Sequence, residues 1–226
     1  AVVMATITRA SGMVGPTQAP ELRTATTTTV PVETNWRDRL PVLRGRSVTL
    51  RPLTIDDAAS LLAMLSVEEV SRFISPPPTT IEGYERFIRW AEAQHRAGQF
   101  ICFGVVPEGM TQAIGLFQIR PLEAGFATAE WGFAIGSPFW GTGLFVDGAQ
   151  LVLSFAFEQV GVHRLEARST VENGRGNGAL RKMGAVQEGL LRRSFLKHGI
   201  YHDQALWSII DTDWRQHHTV STERLH

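Results

Sequence analysis

The feature that most constrains the fold is a turn with two glycines between a strand-like segment and a long apolar segment. The turn is Ser137-Pro138-Phe139-Trp140-Gly141-Thr142-Gly143-Leu144-Phe145. Residues 127–135 before it favour a strand, and residues 144–160 after it favour a helix. The first turn of a helix has N–H groups without partners and a partial positive charge, and glycine lets a ligand approach the backbone closely. The sequence therefore predicts an anion site at residues 141–145.

Composition limits the classes of protein and partner to consider. A chain of 226 residues that is 43% hydrophobic and 19% charged is long enough for one large or two small globular domains. Its 22 basic and 22 acidic residues give no net charge, so we expect neither nucleic acid nor a membrane as a partner. The single cysteine, Cys102, cannot form an internal disulfide, which favours a cytoplasmic protein. We find neither a membrane-spanning run nor a secretory signal.

The chain divides into three segments by composition. Residues 1–35 are rich in threonine, proline and alanine without helical or strand periodicity, which predicts a flexible extension. Residues 36–214 carry the periodic apolar pattern of a folded domain, and residues 215–226 form a polar tail.

The order of periodic segments predicts an α+β fold with a mostly antiparallel sheet and one crossover helix after the glycine turn. The predicted strands are residues 47–51, 100–106, 113–120, 127–135, 164–169, 185–195 and 204–210. The predicted helices are residues 54–65, 81–96, 144–160 and 179–183, with a short helical piece at 67–73. Residues 198–203 are predicted to form a loop between the last two strands.

Two nucleotide-binding motifs are close to segments of this chain. Residues 136–142 have the glycine spacing of a P-loop, but Thr142 stands where that loop needs a lysine to neutralise phosphates. Gly174-x-Gly176-x-x-Ala179 fits a dinucleotide fingerprint. It lacks an acidic residue about 20 positions further on, and its predicted helix is short for a doubly wound unit. A dinucleotide enzyme is therefore a weak third hypothesis.

Metal and hydrolase motifs are weaker still. His198 and His202 are four residues apart but lie in a predicted loop without a further ligand, so ordinary surface histidines explain them and no metal site is predicted. The chain has no G-x-S-x-G motif. Cys102 lies inside a predicted strand, which favours core packing over nucleophilic catalysis.

Several segments together resemble the GNAT-family N-acetyltransferases, and in particular the Rim-type branch of ribosomal-protein alanine and serine acetyltransferases. The resemblance covers roughly residues 43–214. It rests on the Trp-Gly-x-Gly turn and on four further segments: residues 44–58, residues 129–133, Asn173 with residues 179–185, and Asp203 with Trp207.

The resemblance implies a GNAT fold with about seven strands, acetyl-CoA as co-substrate and an amine as acceptor, with a homodimer left open. The implied cofactor-binding residues are Phe133, Ala134, Ile135, Trp140, Gly141, Thr142, Gly143, Leu144, Phe145 and Asn173. The turn would hold the CoA pyrophosphate, and the end of the strand before it would pair with the pantetheine arm. Glu130 is the candidate general base for the amine, although a solvated strand carboxylate explains it equally well.

The chain departs from the family pattern at two positions. Pro138 replaces the usual glutamine or arginine, which leaves the backbone of the turn intact. Gly176 stands where many relatives have a serine proposed to protonate the departing thiolate. Water, Tyr201 or Tyr84 could take that role. A non-catalytic acyl-CoA-binding module is therefore kept beside the leading hypothesis of an acetyl-CoA-dependent N-acetyltransferase, with a protein N-terminus or a small amine as acceptor.

Overall fold

An eight-stranded sheet is the centre of the structure, a computed structural model that describes residues 35–216. Its strands are β1 (Leu43–Arg44), β2 (Val48–Pro52), β3 (Ile101–Pro107), β4 (Gly115–Pro121), β5 (Thr128–Ile135), β6 (Arg164–Thr170), β7 (Val186–Lys197) and β8 (Ile200–Ile210). They are ordered β1-β2-β3-β4-β5-β6-β8-β7. The expected α+β fold is confirmed; the eighth strand is the two-residue β1.

One pair of neighbouring strands differs from all others in the sheet. β5 and β6 are parallel, whereas the remaining neighbours are antiparallel. They pair over only three positions, the last being Glu130 with Glu166. Beyond this point the two strands diverge and leave a cleft, which we call the β5–β6 cleft.

Helices cover both faces of the sheet. On one face, which we call the α3 face, lie α1 (Ala58–Leu65), α2 (Glu68–Ser71) and α3 (Ile81–Arg96). The Thr80 hydroxyl caps α3 by accepting a hydrogen bond from the Gly83 N–H at 3.0 Å. On the other, the α4 face, lie α4 (Leu144–Ser154), its π-helical continuation Phe155–Val160, and α5 (Gly174–Lys182).

Two predicted boundaries were wrong. α5 begins at Gly174 rather than at residue 179, because the Asn173 side chain caps the glycine-rich segment by accepting from the Gly176 N–H at 2.9 Å. β8 begins at Ile200, so Tyr201 and His202, which we had predicted to lie in a loop, are strand residues paired with β7. Pairing along a long hairpin outweighed the weak strand signal of these polar residues.

The topology contradicts the dinucleotide alternative. In a dinucleotide-binding unit the strand after the helix lies in parallel beside the strand before it. Here α5 leads from β6 into β7, which does not pair with β6, because the antiparallel strand β8 lies between them. The fingerprint at residues 174–179 is therefore a capped helix start in another fold.

The ends of the domain are packed. Trp36 is buried, and its ring lies edge-on to those of Phe126 and Phe155. Residues 211–216 are helical, and the buried Trp214 ring lies 5.3 Å from that of Phe157. The predicted extension at 1–35 and tail at 215–226 fall outside the described residues, apart from residues 35, 215 and 216. Within residues 35–216, none of the helices has the length and apolar character needed to cross a membrane.

Candidate active site

The glycine turn has the backbone conformation that an anion cradle needs. Gly141 and Gly143 have φ angles of 78° and 92°, in the left-handed region that side chains with a Cβ rarely adopt. α4 begins immediately after Gly143. A Cβ built on either glycine meets no atom within 4 Å, so the surface of the turn is open to a ligand.

Asp147 is the acidic residue in the first turn of α4, and its carboxylate contacts Ser47 and not the glycine turn. Asp147 accepts hydrogen bonds from the Ser47 N–H at 2.7 Å and the Ser47 hydroxyl at 3.0 Å. Burial by itself raises the pKa of Asp147, but the hydrogen bonds from Ser47, Arg46 and Val48 together outweigh it and lower that pKa. The carboxylate therefore joins α4 to the β1–β2 turn.

The edge of β5 carries backbone groups that β6 does not pair. The hydrogen bond from Gly136 N–H to Ile114 C=O shows that the backbone groups of even-numbered β5 residues face β4, including those of Ala134. Those of Trp131, Phe133 and Ile135 face the β5–β6 cleft. The Ile135 C=O accepts from the Trp140 indole at 2.8 Å, whereas Phe133 presents both its N–H and its C=O.

A cavity of about 610 Å³ occupies the β5–β6 cleft. It reaches from the glycine turn and α5 on the α4 face to the segment around α2 on the α3 face. Eight of the ten residues expected to bind the cofactor line it: Phe133, Ala134, Ile135, Trp140, Gly141, Gly143, Phe145 and Asn173. Thr142 and Leu144 do not: Thr142 is exposed, and Leu144 is buried in the core, which leaves them their backbone N–H groups.

The cavity is basic although the chain has no net charge. Arg72, Arg168, Arg175 and Lys182 line it, against a single carboxylate, Glu69. The Arg175 guanidinium lies 4.3 Å from the centre of the Trp140 ring, next to the glycine turn. The sequence alone did not indicate these basic residues, because they come from three separate segments that only the fold brings together: the end of α2, β6 and α5.

Asn173 and Gly176 form one unit at the start of α5. A Cβ on Gly176 would lie 2.4 Å from the Asn173 Nδ2, so a side chain at 176 would displace the Asn173 amide. Asn173 Oδ1 caps α5, which leaves Nδ2 as the group of this side chain that can donate to a ligand. A serine at position 176 would therefore require the Asn173 amide to move, so the glycine at 176 and the present position of that amide depend on each other.

The carboxylate of Glu130 lies just outside the cavity lining. It is on the α3 face, only 4% exposed, and its Oε2 accepts hydrogen bonds from the Arg120 guanidinium, one of them 2.7 Å long. Its Oε1 lies 3.9 Å from the Arg168 Nε. Of the two carboxylate oxygens, Oε1 is therefore the one that can receive a proton. The amine would have to approach it past the Arg168 side chain or transfer the proton through a water.

The two tyrosines considered as proton donors lie away from the cavity. Tyr84 is fully buried among α1 and α3, and this burial raises the pKa of its hydroxyl. Tyr201 is 54% exposed on β8, near Arg193. Neither lines the cavity, so neither is placed to protonate a leaving group there.

Two further side chains in the cavity lining have polar atoms without partners. The Trp131 Nε1 and Ser169 Oγ atoms are buried and make no hydrogen bond with any residue from 35 to 216. Buried donors without partners are costly, which favours a polar ligand as their partner. With the open backbone of β5 and the basic lining, they fit an acyl-CoA molecule, which combines amides, a thioester and phosphates.

Comparison with known proteins decides the family. The family model described as "Acetyltransferase (GNAT) domain" matches residues 47–186. The chain belongs to the GNAT family. The predicted family is therefore confirmed, and its Rim-type resemblance agrees with ribosomal-protein acetyltransferases among the similar proteins.

Similar proteins carry the same family assignment over most of the domain. The probable N-acetyltransferase YjcK of Bacillus subtilis is 26% identical over 77% of this chain and 100% of its own length. YoaA of the same species, named as an uncharacterized N-acetyltransferase, is 28% identical over 75% of this chain and 97% of its own. The structure of Mycobacterium smegmatis RimJ in complex with CoA-disulfide superposes with a TM-score of 0.70 at 23% identity, over 81% of this chain and 94% of that one. At that identity the superposition shows the shared fold.

Proposed function

We propose that this GNAT protein transfers the acetyl group of acetyl-CoA directly to a primary amine. The observation that carries the proposal is the β5–β6 cleft, which joins an open glycine turn, an unpaired strand edge and a basic lining in one cavity. Acetyl-CoA supplies the acetyl group as a thioester; its phosphates need an anion site, and the amides of its pantetheine arm need hydrogen-bond partners. This chain presents an anion site at the glycine turn and free backbone groups along β5, between that turn and the point where β5 and β6 meet.

Different groups of the chain would bind the different parts of the cofactor. The N–H groups of residues 141–145 would hold the pyrophosphate at the start of α4, and Arg175 would add a charge beside it. The Phe133 backbone and the Asn173 Nδ2 would pair with the amides of the pantetheine arm. In this arrangement the thioester would lie near the end of the β5–β6 pairing, where Glu130 pairs with Glu166.

Transfer forms a C–N bond and breaks the C–S bond. The acceptor amine must be neutral to attack, and Glu130 Oε1, directly or through a water, would take its proton. The thiolate that leaves would take its proton from water, because Gly176 has no hydroxyl and both candidate tyrosines lie outside the cavity. The α3 face is the side of the cleft from which an amine reaches Glu130.

The acceptor is a protein N-terminus or a small amine. Similar solved proteins include a Vibrio cholerae protein, 21% identical, that carries the name of a ribosomal-protein-serine acetyltransferase. That name makes N-terminal peptides the first acceptors to test. We would incubate the protein with acetyl-CoA and either alanine- and serine-initiated peptides, free amino acids or a polyamine. Thiol release and mass spectrometry of the acceptor measure transfer. Turnover of at least one amine that is lost in Glu130→Gln supports the proposal.

A second candidate is a non-catalytic acyl-CoA-binding module, favoured by the absence of a hydroxyl at Gly176. The two functions differ in one result. If CoA raises the melting temperature but none of the amines is acetylated, and Glu130→Gln changes nothing, the binding module is the correct function. If CoA does not bind at all, both functions are wrong.

A further inference from the structure

A buried lysine joins two distant parts of the chain beside the cavity. Lys197, at the end of β7, is only 6% exposed. Its ammonium donates hydrogen bonds to the Ser71 C=O at 2.7 Å and the Ile74 C=O at 2.6 Å. The two carbonyls belong to the end of α2 and to the segment that follows it, more than 120 residues earlier in the chain.

The ammonium at this position has carbonyl partners without a carboxylate. Lys197 makes no ion pair with any residue from 35 to 216, and burial lowers its pKa. Burying a cation without a counter-charge is costly unless its donors are satisfied. The chain uses arginine at almost every other basic position and has only one further lysine, Lys182. A compact ammonium with three rotatable donors suits two converging carbonyls better than a planar guanidinium does.

The segment held by this lysine is the wall of the cavity on the α3 face. The wall consists of residues 69–74, of which Glu69, Val70, Arg72, Phe73 and Ile74 line the cavity. Between α2 and α3 the chain has no regular structure and includes Pro76, Pro77 and Pro78. α2 itself is only four residues long. The backbone hydrogen bonds of this wall all stay within residues 67–74, so they shape the segment without fixing its distance from β5. That distance depends on groups from outside the wall.

We propose that Lys197 is a positioning residue for the amine acceptor: it holds residues 69–74 at the distance from β5 that the acceptor needs. The proposal rests on the proposed function, because it assigns the α3 side of the cavity to the amine. The glycine turn and the cleft edge, which would hold acetyl-CoA, lie on other elements. Loss of the ammonium therefore weakens binding of the acceptor and leaves binding of CoA unchanged.

The test compares Lys197→Met, which keeps a long apolar side chain and removes the donors, with Lys197→Arg, which keeps a cation. Leu196→Ala, at the exposed neighbouring position, is the matched control for changes in the hairpin. For each variant we would measure the Kd for CoA, the KM and kcat for a peptide acceptor that the unaltered protein acetylates, and hydrogen exchange of residues 71–75. We expect Lys197→Met to raise the acceptor KM about tenfold or more, to leave the Kd for CoA within about twofold, and to speed exchange in residues 71–75. Lys197→Arg should fall between Lys197→Met and the unaltered protein.

Each other outcome overturns a definite part of the proposal. An unchanged acceptor KM in a folded Lys197→Met protein shows that the lysine is structural only, and an equal loss of CoA binding shows that it acts on the whole domain. If Lys197→Met does not fold, unchanged acceptor KM in Lys197→Arg together with unchanged exchange in residues 71–75 overturns the proposal. Hydrogen exchange and CoA binding do not need turnover. Faster exchange at 71–75 without acetylation of any amine by the unaltered protein therefore points to failure of the proposed function and not of the contact.

Discussion

The two sides of the β5–β6 cleft differ in which part of the chain forms their polar surface. On the α4 face the backbone presents most of the polar groups, through the glycine turn, the first turn of α4 and the free edge of β5. On the α3 face side chains present them: Glu69, Arg72 and Arg168 line the cleft. Arg168 also belongs to a row of ion pairs beside the cleft, which runs from Arg120 and Glu130 through Arg168 and Glu166 to Arg164 and Glu188.

This difference fits two ligands with different demands. A backbone cradle tolerates side-chain changes, and it suits a cofactor that is the same for every member of a family. Ion pairs and short irregular segments vary easily by substitution, and they suit an acceptor that differs from one member to the next. Changes on the two sides should therefore affect different quantities: affinity for CoA on the α4 face, and turnover or acceptor binding on the α3 face.

The largest expected effect is on turnover. Glu130→Gln removes the carboxylate that we propose as the general base, so kcat should fall about 100-fold or more if it accepts the amine proton. The Kd for CoA should remain unchanged. Steady-state kinetics with a peptide acceptor and calorimetry with CoA measure the two quantities.

The matched control for Glu130 is Glu166→Gln, because Glu166 pairs with Glu130 across the parallel strands, bonds to Arg164 at 2.9 Å and does not line the cavity. It should keep kcat within a few-fold. Equal losses of kcat in both variants would show that the ion-pair row supports the fold and that Glu130 has no special role.

Gly143→Ala should weaken the binding of CoA about tenfold. The left-handed conformation at φ 92° strains any residue with a Cβ by about 1–2 kcal/mol, which corresponds to about tenfold in Kd if binding needs that conformation. Gly109→Ala is the control, since Gly109 has a φ of 77° and does not line the cavity. Both variants should lower the melting temperature, and only Gly143→Ala should raise the Kd. A normal Kd in Gly143→Ala would place the pyrophosphate elsewhere.

Arg175→Ala should weaken CoA binding about threefold, because an exposed cation beside the turn adds a modest attraction. The salt dependence of the Kd should also decrease. Arg181→Ala is the control: Arg181 is on the same helix and packs over Trp207 at 5.5 Å, but it does not line the cavity. If both variants bind CoA like the unaltered protein at every salt concentration, Arg175 is not part of the anion site.

The smallest expected effect is on acid stability. Hydrogen bonds from Arg164 and Ser208 lower the pKa of Glu188 from 4.5 to about 2. A carboxyl with a lowered pKa in the folded state stabilises the protein above pH 4.5, and this stabilisation is lost as pH falls from 4.5 through about 2.

Because the Glu188 side chain is 34% exposed, solvent screens the pair, and we expect only about 0.5 kcal/mol from it. Urea unfolding from pH 2 to 5 should show a smaller loss of stability in Glu188→Gln than in the unaltered protein. Glu172→Gln, at an exposed acid outside the row, should leave the acid dependence unchanged. Identical curves for Glu188→Gln and the unaltered protein would contradict the assigned pKa.

The polar groups on the α4 face of the cleft could be predicted from the sequence. The glycine turn is contiguous in sequence, and its strand-turn-helix context follows from local periodicity, so residues 141–145 could be assigned as an anion site before any coordinates. Asn173 came from the resemblance to GNAT proteins. The start of α5 was predicted five residues too late because a capping asparagine can hold three glycines in a helix despite their low propensity.

The side chains that line the cavity and support its wall could not be predicted in the same way. Arg72, Arg168 and Arg175 are scattered along a chain with no net charge, and nothing local indicates that they line one cavity. The contact of Lys197 with Ser71 and Ile74 joins residues 126 and 123 positions apart. Pairs at such separation leave no periodic pattern in a single sequence.

What the sequence determined by itself is the order of elements, the α+β class and the place of the glycine turn, because these depend on side-chain periodicity and on local backbone freedom. Only the tertiary structure decided where β5 and β6 stop pairing and which charges line the opening. It also decided how Glu130 is held and what supports residues 69–74. Those properties depend on strand register and on contacts between distant segments, and both are set by packing of the whole sheet.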